Sequence, residues 1–230
     1  MLARDLERTL TARGVPARAV AEKAYLKSEL IHLGVAMPLI RAAVKAVDVP
    51  DRAALREAVT ALWARGIHEC RAAAIELLVQ HQALLGTRDV PLVERLLRDS
   101  ATWAYVDVLA ARIMGGLVVA DPRLAKVLDR WATDANFWIR RAAMLALLGP
   151  LRAGGGDFAR FARYADAMLD EKEFFIRKAI GWILRDTARK RPALVYAWLA
   201  PRIARASGVT VREAVKYLPA KQRAELLRKR

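Results

Sequence analysis

Residues 174–185, FFIRKAIGWILR, are the stretch that decides the fold: an aromatic entry leads to Lys178 and then to an apolar helical run. Four other segments have the same layout, with a hydrophobic or aromatic entry: IHECRAAAIELL (67–78), WAYVDVLAARIM (103–114), FWIRRAAMLALL (137–148) and VTVREAVKYLPA (209–220). The charged residue at the matching position, called the register residue below, is in turn Arg71, Asp107, Arg141, Lys178 and Glu213. The spacings of these residues are 36, 34, 37 and 35. A repeat of this length is typical of stacked helix pairs.

Outside these segments, too, apolar residues recur at helical spacing, and no alternating run typical of a β-strand is present. Glycine and proline interrupt the pattern often enough to leave about a dozen helices, which suits a two-helix repeat. Helix pairs of this kind bury their apolar faces against neighbouring repeats and bend into a superhelix with an extended concave surface. We therefore expect an all-α helical-repeat solenoid in which residues 1–230 form a single domain.

The charge of the chain is strongly positive and unevenly distributed. Lysine and arginine number 40 against 24 acidic residues, a net charge of +16. Residues 1–130 have 19 bases and 15 acids, whereas residues 131–230 have 21 bases and 9 acids. Such an excess predicts a polyanionic partner, bound with release of counterions. Nucleic acid is the expected partner; an anionic membrane surface and general solubility are the alternatives.

The residues that usually hold metals are scarce. Cys70 is the only cysteine, which excludes an intrachain disulfide and a thiolate metal cluster. The histidines, which are His32, His68 and His81, are too few and too scattered along the chain to predict a zinc site. We therefore expect no metal and no organic cofactor.

The sequence contains no segment that we interpret as a signal or a membrane anchor. Its start, MLARDLERTL, lacks the apolar core of a secretory signal. The most apolar stretch, residues 106–120, contains Asp107 and Arg112 and is short for a bilayer span. We expect a soluble protein of a reducing compartment, without a membrane partner.

One face of the repeats has a distinctive composition. Positions four before and four after a register residue lie on the same helix face as that residue. This face, called the register line, contains an aromatic, an acid and several bases: Trp103, Asp107, Arg141, Lys178 and Trp182. We expect the register line to face the concavity. The other tryptophans are expected to be packing residues, and they are Trp63, Trp131, Trp138 and Trp198.

Asp107 stands out because it is acidic between two cationic repeats and lies in the apolar run YVDVL (105–109). A carboxylate in such a run is costly unless it is paired or used. One interpretation is a salt bridge between repeats, with Arg71, Arg112 or Arg141. The other is a carboxylate that stabilises positive charge on a sugar, since cleavage of a glycosidic bond passes through an oxocarbenium-like state.

Two further positions on the register line have functional and structural interpretations. Arg141 and its neighbour Arg140 are suited to phosphate, because guanidinium donates two parallel hydrogen bonds. Arg141 also suits a structural pair with Asp107. Trp182 shares a face with Lys178, which favours a position in the groove, although a helical aromatic is more often part of a core.

The pieces WAYVD (103–107), FWIRRAA (137–143) and KEFFIRKAIGWILR (172–185) share their order and spacing with a known family. They resemble the DNA alkylation repair glycosylases of the AlkD type, which are built from HEAT-like repeats. A weaker match, YLKS at residues 25–28, lies where that family has a tyrosine near the lesion. The resemblance is strong over residues 103–192 and faint before them.

The resemblance implies a HEAT-like solenoid that holds double-stranded DNA in its basic concave groove. It also implies excision of cationic N3- or N7-alkylated purines, without flipping the lesion into a pocket. The family's catalytic aspartate falls on Asp107, its phosphate-binding arginine on Arg141, and its two sugar-contacting tryptophans on Trp103 and Trp182. An alkylated purine already carries positive charge, so the protein mainly has to hold the backbone and stabilise the sugar cation.

The remaining residues expected to bind DNA phosphate are Arg140, Lys178 and Tyr25. The chain departs from the family at Thr102, where the family has another tryptophan, and in a loop at residues 154–156 that is longer by about two residues.

No lysine is placed by a motif as an amine nucleophile. We therefore expect base removal that leaves an abasic site without strand cleavage.

Three functions remain to be separated. The first is a monofunctional DNA-3-methyladenine or 7-methylguanine glycosylase, acting as a monomer in a bacterial cytoplasm, near the nucleoid. The second is a non-catalytic helical-repeat protein that binds bent or branched DNA on the same basic groove. The third is a helical scaffold for an acidic protein, which gives no reason for Asp107. The joint presence of Trp103, Asp107, Arg141 and Trp182 favours the enzyme.

Overall fold

The fold is all-helical, as the sequence predicts. A computed structural model describes residues 2–229, and within them the only extended pairing is an isolated bridge between Ile31 and Ile67. The described residues form two compact units, one up to Leu109 and one from Ala110 onward. Each unit is treated separately below, and the assignment of residues 1–230 to a single domain stays a prediction.

The described residues form sixteen α-helices, several of them short, where the sequence predicts about a dozen. The first unit consists of α1 (Leu2–Thr11), α2 (Pro16–Leu26), α3 (Met37–Lys45), α4 (Arg52–Trp63), α5 (His68–Gln80), α6 (Val90–Arg98) and α7 (Trp103–Val108). The second unit consists of α8 (Gly115–Ala120), α9 (Ala125–Trp131), α10 (Phe137–Leu145), α11 (Leu148–Arg152), α12 (Phe158–Ala167), α13 (Phe174–Ala188), α14 (Pro192–Leu199), α15 (Gly208–Ala214) and α16 (Ala220–Arg228). Short 3-10 turns lie between several of these helices.

Polar side chains connect residues that are about one repeat apart in the chain. Separations of 34 or 35 residues recur in both units, in the pairs Arg41–Glu76, Arg152–Asp186 and Lys178–Glu213. These separations match the period of the register residues. They confirm that successive helix pairs pack side by side as structural repeats.

The core of each unit is built around one long helix. In the first unit α5 packs against α3 and α4, and in the second unit α13 packs against α10 and α15. The tryptophans predicted to be packing residues are confirmed as buried, with exposed fractions of 8% or less: Trp63, Trp131, Trp138 and Trp198.

The helical run Trp103–Ala120 consists of α7, a π-helical turn at Leu109–Met114 and α8. Its mean hydropathy is 1.5 over 18 residues, which makes it long and apolar enough to cross a membrane. The apolar stretch that the sequence indicated, residues 106–120, is shorter than this helical run. Of this run, 44% is buried inside the protein, and core helices of folded domains meet the same criterion. The run is therefore weak evidence for a membrane span.

Candidate functional site

Helix α7 buries one side and presents Trp103 and Asp107 on the other. Tyr105 and Val106 are buried, whereas Trp103 is 37% exposed and Asp107 is half-buried. Residues four apart share a helix face, so the indole and the carboxylate lie one turn apart on the same stripe. Thr102 caps the helix, and its hydroxyl accepts a hydrogen bond from a backbone N–H of the first turn. The position where the family resemblance implied a tryptophan therefore has a structural function here.

The backbone is irregular on both sides of α7. Ala101 has a φ of 48°, a left-handed conformation that costs a residue with a side chain about 1–2 kcal/mol. The π-helical turn Leu109–Met114 begins two residues after Asp107. Strained residues and π-helical turns both occur frequently at functional sites. These features favour a functional interpretation of Asp107.

An apolar cleft of about 340 Å³ lies beside Trp103 in the first unit. The ring of Tyr25, which is 74% exposed, meets the Trp103 ring edge-on, with centroids 6.2 Å apart and an angle of 89° between the planes. The structure therefore brings together two of the predicted site residues. Apolar side chains line the cleft further, among them Met37, Ala72, Ile75 and Val108.

A histidine pair lies next to this cleft. The rings of His32 and His68 stack with centroids 4.4 Å apart, so the expectation of scattered histidines does not hold for these two. Burial, and the nearby His32, lower the pKa of His68, while burial raises the pKa of Tyr105. The Tyr105 hydroxyl and His68 Nδ1 form a short hydrogen bond. This bond connects the buried side of α7 to the start of α5.

Arg140 and Arg141 lie on α10 in the second unit, and both are engaged in that unit. Arg140 makes a bidentate pair with Glu171 at 3.0 and 2.7 Å and also donates to two backbone carbonyls. Arg141 is only 2% exposed and donates to the backbone carbonyl of Phe175. These bonds favour structural roles for both arginines, and their assignment to DNA phosphate stays a prediction.

Lys178 on α13 belongs to a cationic cluster around one buried carboxylate. Its Nζ lies 2.8 Å from Glu213 Oε1, and Lys216 and Arg185 also bond to Glu213. Burial by itself raises the pKa of Glu213, but the hydrogen bonds from these three cations lower it to about 2. The cluster thus has more positive than negative charge and holds Lys178 about half-exposed.

Trp182 is anchored by the polar edge of its indole. Its Nε1 donates to Asp186 Oδ2 at 3.0 Å, and Asp186 in turn pairs with Arg152 and Arg185. Burial tends to raise the pKa of Asp186, but the hydrogen bonds from the two arginines lower it overall. The ring of Trp182 is half-buried, and its orientation is fixed one turn away by Asp186.

The sequence interpretation missed two buried acids, Asp186 and Glu69. Asp186 orients Trp182, and Glu69 holds a loop of the first unit. Asp186 is four residues after Trp182, a spacing that could have identified it. Glu69 is fully buried, and its carboxylate accepts hydrogen bonds from the backbone N–H groups of Leu33, Gly34 and Val35. The separation of about one repeat is the only sequence signal for this contact.

The two units differ greatly in charge. Residues 1–109 have 15 bases and 13 acids, whereas residues 110–230 have 25 bases and 11 acids. The second unit therefore has nearly the whole positive charge of the protein. A field of this sign attracts polyanions over long distances.

The repeated helix pairs place the chain in the class of helical-repeat proteins. The positive charge of its second unit suits a polyanionic partner. Residues 6–218 match the sequence model of one family, described as DNA alkylation repair enzyme. The chain belongs to this family, and membership in a DNA-repair family implies that it binds DNA. No curated protein matches the chain.

Solved structures with the same fold support the assignment of the architecture. A protein described as a predicted DNA alkylation repair enzyme from Enterococcus faecalis superposes with a TM-score of 0.81 at 23% identity, covering 90% of this chain and 98% of its own. AlkD2 from Streptococcus mutans superposes with a TM-score of 0.61 at 17% identity, covering 80% of this chain and 91% of its own. The smu.31 protein of Streptococcus mutans UA159 superposes with a TM-score of 0.62 at 15% identity, covering 95% of this chain and 100% of its own.

Proposed function

We propose that the protein is a monofunctional DNA glycosylase that hydrolyses the N-glycosidic bond of cationic alkylated purines, N3-methyladenine and N7-methylguanine, in double-stranded DNA. The observation that carries the proposal is the pairing of Trp103 and Asp107 on the partly exposed stripe of α7. It is supported by membership in a family of DNA alkylation repair enzymes. We propose further that it acts as a monomer in a bacterial cytoplasm, near the nucleoid.

Asp107 is assigned the main chemical role. When the bond to a cationic base breaks, the base leaves as a neutral molecule and the positive charge passes to the sugar. A carboxylate held on a helix stabilises that charge or orients the attacking water. Removal of the base then gives an abasic site, and the DNA strand stays intact because no amine nucleophile forms a covalent intermediate.

Trp103 and Tyr25 are assigned to the deoxyribose and the nearby backbone. An indole face packs well on a sugar and interacts favourably with a developing cation. The Tyr25 ring meets Trp103 edge-on, so the two rings form no parallel slot for a planar base. This arrangement supports excision without flipping of the base.

The second unit is assigned the contacts that hold the DNA. Trp182, which is anchored by Asp186, is proposed as the other sugar-contacting indole. Lys178 is half-exposed within a cluster of excess positive charge, and it is the proposed phosphate contact that needs the least rearrangement. Arg140 and Arg141 are proposed as further phosphate contacts, which requires them to exchange present hydrogen bonds for phosphate.

The test is the release of bases from methylated duplex DNA, measured by chromatography for the parent and for Asp107→Asn. We expect the substitution to abolish release of 7-methylguanine while largely preserving DNA binding, because only the developing cation requires the charge. Asp48→Asn, at an exposed aspartate of the same unit, serves as the matched control and should keep full activity. Excision by Asp107→Asn at the parent's rate would show that the assigned mechanism is wrong.

The second candidate is a non-catalytic protein that binds bent or branched DNA. The excess charge of the second unit is equally compatible with that function. The base-release assay separates the two, because a binder releases no base from methylated DNA. In a binding measurement, such a binder would prefer a branched duplex over a linear one.

A further inference from the structure

Three side chains of the first unit bring typical metal-binding atoms together beside the stacked histidines. One ring nitrogen of His32 and one carboxylate oxygen each of Glu22 and Glu69 all lie within 4.8 Å of one another. These residues come from α2, from the loop that follows it, and from α5. We propose that Glu22, His32 and Glu69 bind a divalent transition-metal ion, with Zn²⁺ as the best match to one imidazole and two carboxylates.

His32 carries the first step of the inference. Both of its ring nitrogens are closed to solvent and have no hydrogen-bond partner among the described residues. A buried polar atom without a partner is destabilising, because the water it loses on burial is not replaced. The ring of His68 lies parallel to that of His32, at an angle of 8°, and therefore covers its face. A ligand of the nitrogens has to approach in the plane of the ring, where an imidazole binds a metal.

The charge around His32 also favours a cation. Glu69 and Glu22 each place a carboxylate oxygen within 4.8 Å of a His32 ring nitrogen. Two carboxylates close to one imidazole nitrogen form a set of donor atoms that attracts a cation. A divalent ion would satisfy a ring nitrogen and offset the negative charge of both acids.

Glu69 is already fixed in the orientation of a ligand. Its Oε1 accepts the N–H groups of Gly34 and Val35, and its Oε2 accepts that of Leu33 at 2.9 Å. Each carboxylate oxygen has about two acceptor sites, so Oε2 keeps one for an ion. Hydrogen bonds of this kind orient metal ligands and raise affinity.

Glu22 supplies the adjustable ligand. Ligand atoms around tetrahedral zinc are about 3.3 Å apart, so atoms that lie within 4.8 Å of one another have to approach by at most roughly 1.5 Å. Glu22 is the residue that can do so, because it lies on α2, a helix without buried residues. Its Oε1 pairs with Arg18 at 2.6 Å. The bound ion would fasten α2 to α5. Tyr25 lies one turn after Glu22, so the ion would also fix the tyrosine at the cleft beside Trp103.

The experiment measures Zn²⁺ binding to the full chain without DNA, by calorimetric titration and by thermal unfolding. We expect one Zn²⁺ per chain and a higher melting temperature in its presence. His32→Gln and Glu22→Gln should each weaken the affinity by more than about tenfold. His81→Gln, at the histidine outside the cluster, is the matched control and should bind like the parent.

Two outcomes would overturn the proposal. One is equal Zn²⁺ binding by His32→Gln and His81→Gln. The other is a dissociation constant of the parent weaker than about 1 mM. Circular dichroism verifies that each variant is folded, and Glu22→Gln keeps the test informative because it changes an exposed helix. Glu69 is left unchanged, since it holds the loop that contains His32. The readout is independent of glycosylase activity.

Discussion

Replacing Glu213 by glutamine tests how much one buried carboxylate contributes to the cationic cluster of the second unit. Glu213 is 7% exposed and bonds to Lys178 at 2.8 Å, to Lys216 at 3.0 Å and to Arg185. Although burial raises its pKa, these bonds lower it from the ordinary value of 4.5 to about 2. That difference corresponds to roughly 3 kcal/mol of folding stability at neutral pH. Glu213→Gln leaves the three cations without this counter-charge, so we expect it to lose about 3 kcal/mol.

The pH dependence identifies the cause of the loss. Because the folded-state pKa is depressed, the stabilisation is fully present above about pH 4.5 and disappears as the pH falls toward 2. Urea unfolding, followed by circular dichroism between pH 2.5 and 7, measures the difference between parent and variant. Urea is preferred because guanidinium chloride would screen the charges.

A matched control separates the buried carboxylate from ordinary surface ion pairs. Glu225 bonds to Lys229 near the C-terminus and accepts a hydrogen bond from the Tyr196 hydroxyl. Glu225→Gln should have a smaller effect than Glu213→Gln, because ion pairs at the surface contribute little. Our reasoning would be refuted if Glu213→Gln cost less than about 0.5 kcal/mol at pH 7. A loss of equal size at pH 3 and pH 7 would refute it as well.

Three further substitutions test the site and the fold. Arg141→Ala should weaken DNA binding and reduce the slope of log affinity against log salt by about one, as loss of one phosphate contact does. An unchanged slope together with lower thermal stability would show instead that Arg141 belongs to the core, where it bonds to Phe175. Gly34→Ala should destabilise the protein by about 3 kcal/mol or more in urea unfolding, because its Cβ would lie 2.2 Å from the Val15 carbonyl oxygen at a φ of +78°. Gly66→Ala, with a φ of +68° and open space around the Cβ, should lose only about 1 kcal/mol, and equal losses would contradict the packing argument.

Four of the five register residues make contacts with a structural function: Arg71, Arg141, Lys178 and Glu213. Arg71 donates to the backbone carbonyl of Asp99, Arg141 to that of Phe175, and Lys178 pairs with Glu213. Each of these contacts bridges consecutive helix pairs. The hydrogen bond of Arg141 to the Phe175 carbonyl group agrees with a structural role for Arg141, and its pairing with Asp107 stays a prediction. A catalytic role of Asp107 stays a prediction.

The sequence alone determined the helical class and the repeat. Helices and breaks follow local rules of apolar spacing, glycine and proline, and these rules act within a few residues of the chain. The period of the register residues reappears as the separation between other bonded partners, such as Arg152 and Asp186. The sequence also placed Trp103 and Asp107 on one side of α7, because a spacing of four is set by helix geometry alone.

Only the tertiary structure decided which side chains meet across repeats. Tyr25 lies against Trp103, and His32 stacks on His68, although 78 and 36 residues separate the partners in the chain. The sequence likewise could not reveal that Arg141 is buried rather than exposed. Such contacts depend on the packing of one helix pair on the next, which is set by the summed shape of many side chains rather than by any local pattern.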